Sequence, residues 1–198
     1  MLNKPRGLIC ACKDERQGTV MSCFPEDIRE GLFHVGRLDK DTEGMLIVTD
    51  DGKLCQELLL PENNVPKTYL FIAMGTLNEE EIGRLEEGLC IYSDSPEQRT
   101  MPAKLEIIST QPLSEVREYL NAKDSKKPSR RDLMPTTTGK ITITEGKKHQ
   151  VRRMLKAVGC YIVYLKRLSI GRLSLDEGLA TGEYREISGE ELLKLKEK

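Results

Sequence analysis

A mixed α+β fold follows from three features of this 198-residue sequence. Short apolar runs alternate with segments whose apolar residues recur at helical spacing. Gly, Pro, Asn and Asp punctuate the boundaries between them. Helix starts carry recognisable caps, Asn78-Glu79-Glu80-Glu81 and Ser188-Gly189-Glu190-Glu191, with acids in the first turn where the helix dipole favours them.

The elements follow in order. Met45–Thr49 reads as a buried strand, then a helix over about 53–60 with Asp50 or Asp51 as its cap, stopped by Pro61. Lys67–Met74, rich in aromatic and apolar residues, is the clearest strand. The helix after Asn78 places Ile82, Leu85 and Leu89 on one face. Ala103–Ser109 and Lys140–Thr144 read as strands, and the polar stretch Asn121–Thr138 between them as a mobile surface loop that orders on binding a partner. His149–Val158 is a helix ended by Gly159, Tyr161–Leu165 a strand, and the capping box at Ser188 opens a terminal helix. There is no internal repeat, so a single catalytic unit with two lobes, about 1–63 and 64–198, is expected.

Composition narrows the function. No apolar run reaches the roughly 18 residues needed to span a bilayer, and the N-terminus has no signal-peptide core, which together predict a cytoplasmic protein. The six cysteines form no Cys-x-x-Cys pair and the histidines are His34 and His149 alone. Buried free thiols are therefore expected rather than a zinc site or a disulfide framework. The net charge of −1 conceals a segregation: from Lys147 to Arg172 there are eight Lys or Arg and no Asp or Glu. A second basic cluster, Lys126-Lys127-Pro128-Ser129-Arg130-Arg131, precedes it, while acids gather at Glu79–Glu81, at Glu86-Glu87 and near the C-terminus. That pattern is an electrostatic footprint for phosphates.

The stretch Gly36-Arg37-Leu38-Asp39-Lys40-Asp41-Thr42-Glu43-Gly44 places an aspartate in a glycine-bounded loop ahead of an apolar strand. Three chemistries compete for it. A calcium loop would use Asp39, Asp41, Glu43, Gly44 and Asp50, but the bidentate Glu at the last position is missing and the second half is strand-like. An aspartyl phosphotransferase would need a continuous apolar strand running into Asp39, and Gly36-Arg37 interrupts it.

The third reading is a resemblance. Gly36-Arg37-Leu38-Asp39-x-Asp41-Thr42-x-Gly44 resembles the catalytic motif of the RsuA/RluA group of pseudouridine synthases, and Asp41–Leu46 followed by Thr49-Asp50-Asp51-Gly52 resembles its RsuA-type branch. Asn3-Lys4-Pro5-x-Gly7 is similar to the opening motif of that family and Lys67-x-Tyr69 to its tyrosine motif. Glu145-Gly146-x-x-x-Gln150-Val151-Arg152-Arg153-Met154 and Leu165-x-Arg167-x-x-Ile170-Gly171 resemble its closing motifs. The likeness covers essentially the whole chain. It departs from the branch in starting at the Asn-Lys-Pro motif, without the separate N-terminal RNA-binding domain usual there.

The resemblance implies a pseudouridine synthase fold, a mixed, mainly antiparallel sheet flanked by helices, with two subdomains around a basic cleft. It implies isomerisation of a uridine in ribosomal RNA, free or in a ribosomal subunit assembly intermediate, by a monomer needing no metal and no cofactor. Asp39 becomes the catalytic carboxylate; attack on the sugar, attack on the base and removal of a sugar proton all remain open to it. Arg152 becomes its cationic partner and Tyr69 the aromatic that stacks on the flipped uracil. Arg37 is expected at a phosphate, with a local salt bridge to Asp41 as the competing reading. Lys67, Lys147, Lys148, Arg153, Lys156, Lys166 and Arg167 are the remaining candidate RNA contacts, with Lys148 and Lys156 sharing a helix face. His149 is expected to be structural. Leu165–Gly171 with Leu175–Ala180 looks closer to the small-subunit branch, favouring 16S over 23S rRNA. A non-catalytic RNA-binding module on the same scaffold is the alternative.

Overall fold

A computed structural model describes residues 1–92, 99–120 and 130–197. In chain order the strands and helices are β1 (Leu2–Lys4), α1 (Glu26–Arg29), β2 (Phe33–Val35), β3 (Glu43–Thr49), α2 (Gly52–Leu59), β4 (Lys67–Met74), α3 (Glu79–Glu87), β5 (Lys104–Pro112), β6 (Pro135–Ile143), α4 (Gln150–Ala157), β7 (Tyr161–Ile170), β8 (Leu173–Ser174) and α5 (Gly189–Lys196). The fold is α+β, with both parallel and antiparallel strand pairs. The chain forms two compact units, Met1–Thr68 with Lys166–Lys198, and Tyr69–Leu165. Residues 166–198, placed with the second lobe on sequence grounds, thus gather with the first.

In the first unit β3 is central. It pairs antiparallel with β1 (Leu2↔Leu46) and β2 (Val35↔Ile47), and parallel with the second half of β7 (Gly44↔Arg167). Alternation along β3 sends Met45 and Ile47 into one cluster with Leu54, Leu58, Ile170 and Leu195, and Leu46 into another with Leu2, Val20, Met21 and Phe24. Burial on both faces is why this strand reads as an unbroken apolar run. Asp51 caps α2, its Oδ1 accepting from the backbone N–H of Lys53 (2.8 Å) and of Leu54 (3.2 Å).

In the second unit β5 and β6 form a long antiparallel ribbon, with an irregularity between Ile107 and Ser109. The capping box expected at Asn78 is present, reciprocated by Glu81. Ile72, Leu113, Val116 and Tyr164 form one core cluster. The polar stretch 121–138 needs correction: Pro135–Thr138 belong to β6, paired with Pro112, Gln111, Thr110 and Ser109. Threonines are β-branched and suit strands. Thr136 and Thr137 are buried because their hydroxyls donate to the carbonyls of Gln111 (2.7 Å) and Gly75 (2.8 Å). Residues 121–129, with Lys126–Ser129 of the basic cluster, lie outside the described residues. The strand expected at Tyr161–Leu165 runs on to Ile170. Among the described residues no helix is long and apolar enough to cross a membrane.

Candidate active site

Asp39 lies on the connection between β2 and β3, half-buried, with three residues between it and Val35 at the end of β2. That spacing is not the strand-end position a phosphoryl-accepting aspartate needs. The extended β3 from Glu43 to Thr49 likewise leaves no second helix for a calcium loop. Among the described residues no group of three or more His, Cys, Asp or Glu could hold a metal ion.

The Asp39 loop is fixed by contacts from the N-terminal motif. Lys4 is fully buried, and its ammonium donates to the carbonyls of Pro5 (2.9 Å), Thr42 (2.9 Å) and Lys40 (3.4 Å). Its three N–H donors thus meet three backbone acceptors, two of them on the loop. Burial lowers the Lys4 pKa, opposed by the nearby Cys10, Asp41, Glu43 and Asp39. The Gly7 N–H donates to the Lys40 carbonyl (2.8 Å), the Leu38 N–H to Cys10 Sγ (3.3 Å), and the Thr42 N–H to the Asp39 carbonyl (3.1 Å). Arg6 pairs with Glu43 at 3.0 Å. Leu38 and Thr42 point inward and anchor the loop on either side of Asp39.

Gly44 closes the loop for steric reasons. Its φ is +100°, and a Cβ there would stand 2.3 Å from the Arg167 carbonyl oxygen. Only glycine permits both that conformation and the close approach of β3 to β7. Arg167 itself is buried, its Nε donating to the Met45 carbonyl at 2.7 Å. It is therefore not the surface phosphate contact expected from its position in a basic stretch. Lys67, at the start of β4, is half-buried; burial and the like charge of Arg167 push its pKa down to about 8. Lys166 is half-buried. Arg37 is exposed.

In the second unit, Tyr69 is 9% exposed on β4. Arg152 is half-buried on α4. The turn before that helix is held by Gln150, whose Nε2 donates to Glu145 Oε1 (2.7 Å) and whose Oε1 accepts from the Lys147 N–H (2.9 Å). Glu145 Oε1 also accepts from the Met101 N–H at 2.8 Å. His149 sits in the left-handed region (φ +53°) just ahead of the helix, and its carbonyl accepts from the Arg153 N–H. Lys148 consequently precedes the helix, and the shared helical face expected for Lys148 and Lys156 does not exist, although both are exposed.

Two more of the expected RNA contacts are engaged within the protein. Lys147 Nζ reaches Glu145 (3.3 Å) and the Arg99 carbonyl (2.5 Å), and the Arg153 guanidinium lies 4.5 Å from the centre of the Tyr92 ring. Sequence reasoning noted Lys4 and Gln150 as parts of motifs and gave neither a task. Both act through backbone groups whose positions only folding defines.

The α+β scaffold thus holds an aspartate on a lysine-latched loop and carries half-buried cations on its strands and helices. The chain belongs to the RNA pseudouridylate synthase family, whose model matches residues 1–157. It is thus an isomerase acting on uridine in RNA. It is 46% identical over 198 residues, all of this chain and 72% of the relative, to an uncharacterised RNA pseudouridine synthase of Bacillus subtilis (strain 168). A ribosomal small subunit pseudouridine synthase A of Yersinia pestis is 33% identical, over 97% of this chain and 70% of its own. A ribosomal large subunit pseudouridine synthase B of Bacillus subtilis (strain 168) is 34% identical, over 99% and 70% respectively. A crystal structure of a pseudouridylate synthase superposes with a TM-score of 0.79 at 32% identity, covering 98% of this chain and 71% of that one.

Proposed function

We propose that this protein converts a uridine of ribosomal RNA to pseudouridine, in free RNA or in a subunit assembly intermediate, with Asp39 as the catalytic carboxylate. The reaction is a balanced isomerisation: the N1–C1′ bond breaks, C5 bonds to C1′, the C5 proton leaves and N1 gains one. Asp39 is the group that acts on the nucleoside, Arg152 the cation that keeps it ionised and Tyr69 the ring against which the uracil stacks. Flipping a base out of structured RNA costs stacking energy, which an aromatic face offsets.

The observation carrying this reading is the Asp39 loop: the motif aspartate is half-buried and held on both sides by Lys4, Cys10 and Gly7. A group so constrained is positioned before substrate arrives, which is where rate acceleration by a single carboxylate comes from. The ribosomal relatives support the substrate class but do not separate the subunits, at 33% and 34% identity. The preference for 16S rRNA rests on the residues of Leu165–Gly171 and Leu175–Ala180. The expected active form is a monomer in the cytoplasm, checked by light scattering and by fractionation.

The test incubates unmodified 16S and 23S rRNA with the protein and with Asp39→Asn, and maps pseudouridine by carbodiimide adducts that stop reverse transcription. A new stop on 16S rRNA that requires Asp39 is the expected result. A stop on 23S rRNA alone overturns the subunit preference. Equal stops with both proteins overturn the role of Asp39, and salt-sensitive binding without any stop favours a non-catalytic RNA-binding module.

A further inference from the structure

Two cations of the first unit, Lys67 and Arg167, have no ion pair among the described residues. Arg167 on β7 is 4% exposed, and its Nε is committed to the Met45 carbonyl. Its Nη2 is buried with no hydrogen-bond partner among the described residues. Lys67 at the start of β4 is half-buried, the Pro66 carbonyl just before it accepts from the Gly171 N–H after β7 at 2.9 Å, and the Lys67 side chain makes no ion pair or hydrogen bond among the described residues. Burial, and then the like charge of Arg167, hold its pKa down. Burying one cation without a partner is costly, and placing a second beside it adds repulsion. Uncompensated charge of this kind is kept where a ligand supplies the opposite sign.

We propose that Lys67 and Arg167 form a seat for one backbone phosphate of the RNA substrate, Lys67 making the contact and Arg167 acting as a fixed charge beneath it. The inference rests on the reading of the chain as an RNA-modifying enzyme and adds a specific consequence to it. Arg167 is sealed from solvent, so it cannot itself reach an RNA strand; it contributes by its field, which is little screened in the interior. Lys67 keeps enough exposure to meet a phosphate oxygen. In the free protein the Lys67 pKa lies at about 8 against an ordinary 10.5, so near neutral-to-alkaline pH a fraction of the amine has no proton. An arriving phosphate favours the ammonium and draws a proton onto it. RNA binding is then linked to proton uptake.

The experiment measures filter-binding affinity for an unmodified 16S rRNA transcript from about pH 7 to about pH 8.5 at fixed salt. Full restoration of the Lys67 pKa from about 8 to 10.5 predicts an affinity loss of about fourfold across that range. Lys67→Arg, which does not titrate, is expected to keep the affinity and lose the pH dependence. Lys67→Met is expected to bind more weakly at pH 7, without the pH dependence and with a salt slope smaller by about one phosphate contact. Wild-type pH dependence in Lys67→Arg, or unchanged affinity and salt slope in Lys67→Met, overturns the seat. Asp39-dependent pseudouridine formation, followed in parallel, tests the enzymatic reading separately. Active enzyme with pH-flat binding defeats the seat alone, and absent turnover with pH-linked binding defeats only the enzymatic reading.

Discussion

Replacing Lys4 with Met tests whether the Asp39 loop is latched by the buried ammonium. The Lys4 ammonium donates to Pro5 and Thr42 carbonyls at 2.9 Å and more weakly to Lys40 at 3.4 Å. A hydrogen bond from a charged donor contributes about 1.5–3 kcal/mol, and a buried acceptor left bare costs about 1–3 kcal/mol. Methionine is close to lysine in length and relieves the cost of burying a charge, a cost visible in the lowered pKa of Lys4. With the two short bonds counted and that relief set against them, the net destabilisation is about 2–4 kcal/mol. For a domain of this size that lowers Tm by roughly 5–15 °C. The loop then loses its register around Asp39, and at a temperature where the variant remains folded kcat falls by on the order of 100-fold, the usual effect of an ångström-scale misplacement. Calorimetry and single-turnover pseudouridine formation read the two effects. A Tm within about 1 °C of wild type together with unchanged kcat would refute the latch.

Four further outcomes are expected. Gly44→Ala brings a Cβ to 2.3 Å from the Arg167 carbonyl at a φ of +100°, so strain and a parted β3–β7 pairing cost about 4 kcal/mol or more, read as a collapse in thermal stability; an alanine variant melting like wild type contradicts it. Tyr69→Phe retains stacking and loses only hydroxyl chemistry, whereas Tyr69→Leu loses both; equal activity of the two variants speaks against a stacking role. Arg152→Ala loses activity while still binding RNA, and full turnover would remove it from the mechanism. Arg185 bonds Glu191 through two nitrogens (2.7 and 2.9 Å) and Asp176 through Nε (2.6 Å). Its bond, with that of the Ser188 N–H, holds the Glu191 carboxyl down to about 2. A depressed carboxylate stabilises the fold above its ordinary pKa of 4.5 and loses that contribution as pH falls toward 2, so Arg185→Ala flattens the acid limb of a urea-midpoint profile. An unchanged acid limb contradicts the linkage.

The elements whose signal is local were legible in the sequence. β3 and β4 announce themselves by continuous apolar runs, α2 and α3 by the caps Asp51 and Asn78, and the terminal helix by Ser188 and Glu191. Polar composition misled at Pro135–Thr138, because a buried threonine whose hydroxyl finds a carbonyl is as well accommodated in a strand as valine, and composition does not reveal that partner. The start of α4 slipped by one residue, since the left-handed conformation of His149 is a property of the Glu145–Gln150 clamp and not of histidine.

The family was carried by sequence alone, because its motifs are ordered runs of residue types that need no folded contact to be read, and Gly44 is fixed in type by the backbone it serves. The tertiary structure decided which of the cations face solvent. In the chain Lys4, Lys67, Lys147, Lys148 and Arg167 are all equally basic. In the fold one is buried under a loop, one is desolvated beside a like charge, one is paired to Glu145, one is exposed and one is sealed. A charge run gives the number of positive groups; the work each does depends on its distance from water, carbonyls and other charges, and those distances exist only once the strands have paired.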